Sequence, residues 1–320
     1  MRAVILDDKS LQIGGESPWG PLRQLCEYEA YAGTPPELVV ERSREADILI
    51  VNKVEINAAV MDQLPRLKCI AVSATGTNIV DSAAARERGI PVCNTPAYGT
   101  DAVAQHVFAL LLELCRRTSL HDASIRRGDW AACGDFCYWL TPQMELTGKT
   151  LGIFGYGNLG KRVAEIAHAF RMDVIACAHS PKPLPDFTPF AFVSGEELFA
   201  RADIITLHCP LTDETRNLVR RETLELVKPG CIIVNTSRGG TVNSADVAEA
   251  LRSGRLAAFA ADVLEHEPPS PDDPLLSAPN TLLTPHLAWA TDNARRNIVS
   301  ITIENIRAFM QGRPQNAVNM

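Results

Sequence analysis

Short apolar runs rich in β-branched residues alternate along this chain with segments whose apolar positions recur every three or four residues. The first pattern suits strands buried on both faces, the second amphipathic crossover helices, and together they predict an α/β fold with parallel sheets. Ahead of Thr100 the strand candidates are residues 3–6, 47–51, 68–72 and 91–94, with helical patterns at 58–64 and 80–88, the latter closed by Gly89. A long helix is expected from Asp101 to about Arg127, where Val103, Val107, Leu110, Leu111 and Leu114 share one face and Gly128 is the stop. A second series of strand candidates comes at 150–154, 173–178, 203–208, 231–235, 256–261 and 281–283. Six strands with crossovers are the complement of a full dinucleotide-binding sheet. The last helix, 291–310, has no strand after it and is free to return to the first domain.

The stretch 129–147 breaks the alternation. It is turn-rich and carries Trp130, Phe136, Tyr138 and Trp139, too much apolar surface for an idle loop, so an arm packing on another subunit is expected.

Composition narrows the class. A chain of 320 residues exceeds what one core usually organises, so two domains are expected. A net charge of −7 argues against nucleic-acid binding, although a local arginine can still hold an anionic substrate. Nine scattered cysteines without a Cys-x-x-Cys read as reduced thiols in a cytoplasmic protein. The closest pair, Cys133 and Cys137, has no histidine cluster beside it, so no metal is expected. The opening run is too short for a signal peptide, and no stretch approaches the roughly 18 apolar residues of a membrane span.

Candidate chemistry sits at the strand ends. Gly155-Tyr156-Gly157-Asn158-Leu159-Gly160 comes after a strand and opens a helix over 161–170, the context in which a glycine loop cradles a pyrophosphate. The next strand ends in Ala178-His179-Ser180-Pro181-Lys182, where an NAD-selective fold carries an acid for the ribose 2′-hydroxyl. With no acid there, and with donors that suit a 2′-phosphate, the pattern favours NADPH or dual use of NADPH and NADH. Leu207-His208-Cys209-Pro210 reads as a strand end lining the cofactor.

Further along, Thr236-Ser237-Arg238 ends the strand 231–235, and a guanidinium there can grip a carboxylate and polarise the neighbouring carbonyl. His286 comes directly after the final strand in Thr-Pro-His, and histidine titrates where proton transfer at neutral pH needs it. Glu267, bonded to the far ring nitrogen, would orient the imidazole and favour its protonated form. Asp262, also at a strand end, is a partner for the nicotinamide carboxamide. In the first domain, Ser73-Ala74-Thr75-Gly76 begins a strand-to-helix turn able to form an anion nest, and the segment from Tyr98 to Val103 leads into the long helix where it can face cofactor.

These motifs, with Arg88–Pro96, Cys209–Thr212, Glu267-Pro268 and Pro285–Ala290, make the chain resemble the D-2-hydroxyacid dehydrogenases over nearly its whole length, and within them the glycerate dehydrogenase/hydroxypyruvate reductase group. The resemblance implies two doubly wound domains, a Rossmann dinucleotide-binding domain (100–287) inserted into a flavodoxin-like substrate domain (1–99 and 288–320). It implies that Arg238 binds the substrate's carboxylate and carbonyl, that His286 is the acid/base, and that Glu267 supports it. Asn158, Leu159, Thr236, Asp262 and Ala288 would contact cofactor, and Ser73, Thr75, Gly76 and Trp289 would lie near substrate. The expected reaction is reduction of a small 2-keto acid, hydroxypyruvate or glyoxylate first, to the D-2-hydroxy acid by a homodimer. Alternatives are a dehydrogenase of the same fold for formate, phosphite or a D-lactate-type acid, and a non-catalytic NAD-sensing binding protein.

Overall fold

Both expected sheets form, and each has one strand more than the apolar runs suggested. The computed structural model describes every residue from Met1 to Met320. The chain divides into two compact units, Met1–Gly99 with Ala290–Met320, and Thr100–Trp289, so the second interrupts the first.

The first unit holds β1 (Arg2–Ile5), β2 (Glu27–Ala30), β3 (Ile48–Val51), β4 (Cys69–Val72) and β5 (Val92–Cys93), all parallel, in the order β2-β1-β3-β4-β5. That is the flavodoxin-like order. Strand β2 was not expected. Its Glu-Tyr-Glu-Ala has the charged character of an edge strand, and Glu29 pairs with Arg2 of β1 at 2.7 Å on the surface. Leu49, Val51, Ile70 and Val72 bury one face, while Ile48, Ile50, Cys69 and Ala71 are buried on the other. After the helix Asp292–Met310 the chain returns to β5, where the buried Asn319 carboxamide accepts the Val92 N–H at 2.8 Å.

The second unit holds β6 (Thr150–Phe154), β7 (Asp173–Cys177), β8 (Phe190–Phe192), β9 (Ile204–Leu207), β10 (Cys231–Asn235), β11 (Leu256–Ala261) and β12 (Thr281–Leu283). All seven are parallel, in the order β12-β11-β10-β9-β6-β7-β8. This is the Rossmann order extended by one strand, and it reverses between β6 and β9, the point where such sheets bind ligands. The extra edge strand β8 hides in sequence behind Pro181, Pro183, Pro185 and Pro189, and is held by aromatic packing of Phe190 and Phe192 on Tyr156 at 5.1 and 5.3 Å. Period-two alternation fills both faces: Ile204, Ile232 and Ala258 join one core, Ile205, Ile233 and Phe259 the other.

The long helix is two. Thr100–Arg116 ends at Arg117, whose φ of +46° breaks the run, and Thr118–Arg126 comes next. The Glu113 carboxylate accepts from the Thr118 hydroxyl at 2.6 Å, tying the start of the second helix back to the end of the first. The stretch read as irregular starts with a short helix, Asp129–Cys133, entered through Gly128 at φ +93°. None of the helices is long and apolar enough to cross a membrane.

At the reversal point two turns touch. Gly155 takes φ +102°, and a Cβ there would lie 2.7 Å from both the Cys209 nitrogen and the His208 carbonyl carbon, so only glycine lets β6 and β9 end together. Both ring nitrogens of His208 are sealed from solvent without a protein partner, and burial holds its pKa down to about 3 from the ordinary 6.5. Between those values the unfolded chain binds a proton that the folded chain refuses. Stability from this group is therefore complete above pH 6.5 and falls as pH drops through the window, by about 1 kcal/mol per pH unit. The free energy of urea unfolding should accordingly fall less steeply between pH 6 and 4 in His208→Leu than in the wild type; equal slopes would mean that the folded protein admits the proton.

Candidate active site

Because every strand of the second sheet runs the same way, the loops after β6, β7, β9, β10, β11 and β12 share one edge. Across it from β12 to β7 come His286, the pair Asp262 and Glu267, then Arg238, His208–Pro210, the glycine turn and Ala178–Lys182. Residues far apart in sequence are thus ordered by strand position.

The loop after β10 is pinned from inside. The fully buried Asn235 carboxamide donates to the Arg238 carbonyl at 3.0 Å and to Thr241 Oγ1 at 3.2 Å. Its oxygen accepts from the Ser237 N–H and hydroxyl at 3.0 and 2.8 Å. Ser237 is therefore a structural partner of Asn235, whereas the buried Thr236 hydroxyl has no protein partner. Arg238 itself is exposed, and its guanidinium donates to the Ser237 carbonyl at 2.7 Å and makes no ion pair. Its charge is available to an anion.

The loop after β11 meets that one backbone to backbone. A Cβ on Gly239 would fall 1.9 and 2.0 Å from the Leu264 carbonyl carbon and oxygen. Glu267 Oε1 accepts the Leu264 N–H at 3.1 Å, and Oε2 lies 2.5 Å from His286 Nδ1. A carboxylate only accepts, so Nδ1 carries the proton toward Glu267, and Nε2 has no partner within the protein. The imidazole and the carboxylate are both about one-third exposed, at 33% and 36%.

His286 sits in a tight turn at φ +52°, its N–H donating to the Asp262 carbonyl at 2.8 Å. The buried Asp262 carboxylate clasps the residues around it, accepting from Leu287 N at 2.9 Å, Ala288 N at 2.8 Å and the Thr284 hydroxyl at 2.5 Å. Sequence reading gave Asp262 only to cofactor; its carboxylate also fixes the backbone of 287 and 288 beside His286 and Trp289. The Thr284 hydroxyl is in turn 3.0 Å from His106 Nε2, a residue that sequence reading passed over. The signal for it was present: His106 lies three residues after Val103 and four before Leu110, a polar group on the apolar stripe of its helix.

Asn158, Leu159 and Gly160 open the helix Asn158–Ala169 after the glycine turn, so its free N–H groups point at the reversal point. The open face of Gly157, the partnerless Thr236 hydroxyl and the glycine contacts at Gly155 fit a dinucleotide laid across β6 and β9. At the end of β7, Ala178 is half-buried while His179, Ser180 and Lys182 are exposed. Val103 is half-buried in the first turn of the helix Thr100–Arg116. In the first unit, the turn after β4 is braced internally: the Thr75 hydroxyl donates to the Thr95 carbonyl at 2.9 Å, and Thr95 N donates to the Ala74 carbonyl at 3.0 Å. The buried Ser73 hydroxyl has no partner, and Gly76 is half-buried. No cluster of histidine, cysteine and acidic side chains is suited to a metal, and all nine cysteines are free.

Comparison with known proteins agrees with this architecture. Residues 108–288 match the family model of the D-isomer specific 2-hydroxyacid dehydrogenase NAD binding domain. The chain is 39% identical to a hydroxypyruvate reductase of Blautia hydrogenotrophica, with 100% of each chain covered. It is 41% identical to a glycerate dehydrogenase of Methylorubrum extorquens over 91% of this chain and 92% of that one. A crystal structure of a Thermus thermophilus protein, 38% identical, has a TM-score of 0.89 and covers 99% of this chain and 100% of its own. On these grounds the chain belongs to the D-isomer specific 2-hydroxyacid dehydrogenases, oxidoreductases that use a nicotinamide cofactor on CH–OH groups.

Proposed function

We propose that this enzyme reduces a small 2-keto acid, hydroxypyruvate or glyoxylate first, to the D-2-hydroxy acid. The observation that carries the reading is the His286–Glu267 pair at 2.5 Å on the sheet edge that also bears the unpaired Arg238. The names of the relatives in Blautia and Methylorubrum support this choice of substrate. Reduced nicotinamide, when bound, supplies the hydride that goes to C2 of the keto acid. Arg238 holds the substrate carboxylate through paired N–H donors and draws charge onto the keto oxygen. His286 gives its Nε2 proton to that oxygen as negative charge develops, and Glu267 holds the ring in place through Nδ1. Ser73, Ala74, Thr75, Gly76 and Trp289 are assigned to substrate. Gly155, Gly157, Asn158, Leu159, Gly160, Thr236, Ser237, Cys209, Pro210, Asp262, Ala288 and Val103 are assigned to cofactor.

NADPH, or use of both cofactors, is the preferred reading because Ala178 stands where an acid would repel a 2′-phosphate and His179, Ser180 and Lys182 offer donors beside it. A homodimer is proposed from the exposed aromatic stretch, with Phe136 at 89% and Trp139 at 69% exposure.

Initial rates with hydroxypyruvate, glyoxylate, pyruvate and phenylpyruvate against both cofactors test the function, hydroxypyruvate or glyoxylate being the best substrate and the product the D enantiomer. Cofactor binding without turnover of any of the four would reject it. His286→Ala is expected to lower kcat by about 10²–10⁴-fold, and near-normal turnover would remove His286 from the proton-transfer role. In fluorescence titrations Ala178→Asp should weaken NADPH by about tenfold or more while sparing NADH; an equal effect on the two would reject the assignment of this loop. Sedimentation equilibrium should return twice the chain mass, and replacing Phe136 and Trp139 together by serine should shift the protein to monomer.

A further inference from the structure

We propose that His106 is a positioning residue for the reaction, acting through Thr284 and Asp262 on the turn that carries His286. The inference rests on the proton-donor reading of His286 and extends it to a residue outside the strand-end motifs. Each link has a defined direction. The Thr284 hydroxyl lies 2.5 Å from Asp262 Oδ1, and the carboxylate can only accept, so the hydroxyl proton is committed there. His106 Nε2, 3.0 Å from the same hydroxyl oxygen, must then be the donor. Burial lowers the His106 pKa, against the opposing pull of Asp262, so the neutral ring with its proton on Nε2 is the form that fits. Asp262 Oδ1 also lies 3.6 Å from His106 Nε2, which places the imidazole beside the carboxylate as well as on its threonine.

Downstream, Asp262 accepts the N–H groups of Leu287 and Ala288, and its carbonyl accepts the N–H of His286. The turn around His286 therefore leans on a single residue, Asp262, whose carboxylate is oriented by Thr284 and, behind it, by a helix that packs on β10 and β11. A neutral imidazole supplies the donor without a positive charge that would compete with Leu287 and Ala288 for the carboxylate. Loss of the donor leaves the Thr284 hydroxyl held by Asp262 alone, so that hydroxyl and carboxylate shift together and the imidazole moves with the turn. Small displacements of a reacting group cost up to about 10²-fold in rate.

The test compares His106→Phe, which removes the donor, with His106→Gln, whose side-chain amide N–H can replace it. A parallel pair, Thr284→Val and Thr284→Ser, serves should the phenylalanine variant fail to fold. With the keto acid that the wild type reduces best, Phe and Val variants are expected to lower kcat by about 10- to 100-fold, while KM for the keto acid stays within about twofold. Gln and Ser variants should recover most of the rate. Wild-type kcat in His106→Phe, or equal losses in both members of each pair alongside lowered thermal stability, would overturn the proposal. His286→Ala is measured alongside. If it is inactive while His106→Phe is fully active, only the role of His106 falls; if His286→Ala is itself active, the proton-donor reading falls first.

Discussion

A sheet in which all seven strands run parallel delivers every strand's carboxyl end to one edge, and the chemistry of this protein depends on that constraint. Antiparallel insertion anywhere would send one loop to the opposite side. Here the order of strands becomes an order of candidate site residues along a line. Glycine turn and β7 loop lie toward one end, Arg238 beside the centre, and Glu267 with His286 at the other. The same constraint explains why the strands are apolar on both faces, since crossover helices must cover each side of the sheet. Burial that stabilises the fold and placement that builds the site thus come from one topological choice.

Much of this was legible from the order of residues. Strands such as Cys231–Asn235 and Leu256–Ala261 announce themselves because each apolar run stops at a polar residue, Asn235 in one and Asp262 just past the other. Arg238, His286 and Glu267 could be picked out because they come soon after such strands, so no tertiary knowledge was needed to put them on one edge. The features that escaped reading were set by contacts between distant residues or by weak local signals. Strand β2 is held by pairing with β1 and a surface ion pair rather than by its own apolarity, and β8 by tilted and edge-on ring contacts with Tyr156. The break at Arg117 comes with a left-handed backbone and a Glu113 side chain that reaches past it to the Thr118 hydroxyl. His106 looked like one polar residue on an apolar stripe; only coordinates bring its Nε2 to Thr284.

Three histidines of the second unit show how surroundings sort one residue type into different tasks. His208 is denied its proton by burial without a partner. His106 is also pushed toward neutrality by burial but finds a hydroxyl to donate to. His286 keeps about a third of its side chain exposed and has a carboxylate on Nδ1. Of the three, it alone combines solvent contact with a directly bonded anion, the arrangement that suits a proton carrier.

Gly239 sets a spacer of a different kind. Where the β10 loop crosses the β11 loop, main chain rests on main chain with no room for even one methyl group. The gap between the guanidinium-bearing segment and the carboxylate-bearing segment is thereby gauged by bare peptide, which has the same thickness whatever the neighbouring residues are. The spacing between Arg238 and Glu267 is thus fixed by backbone, and a side chain substituted anywhere else along the two loops leaves it unchanged.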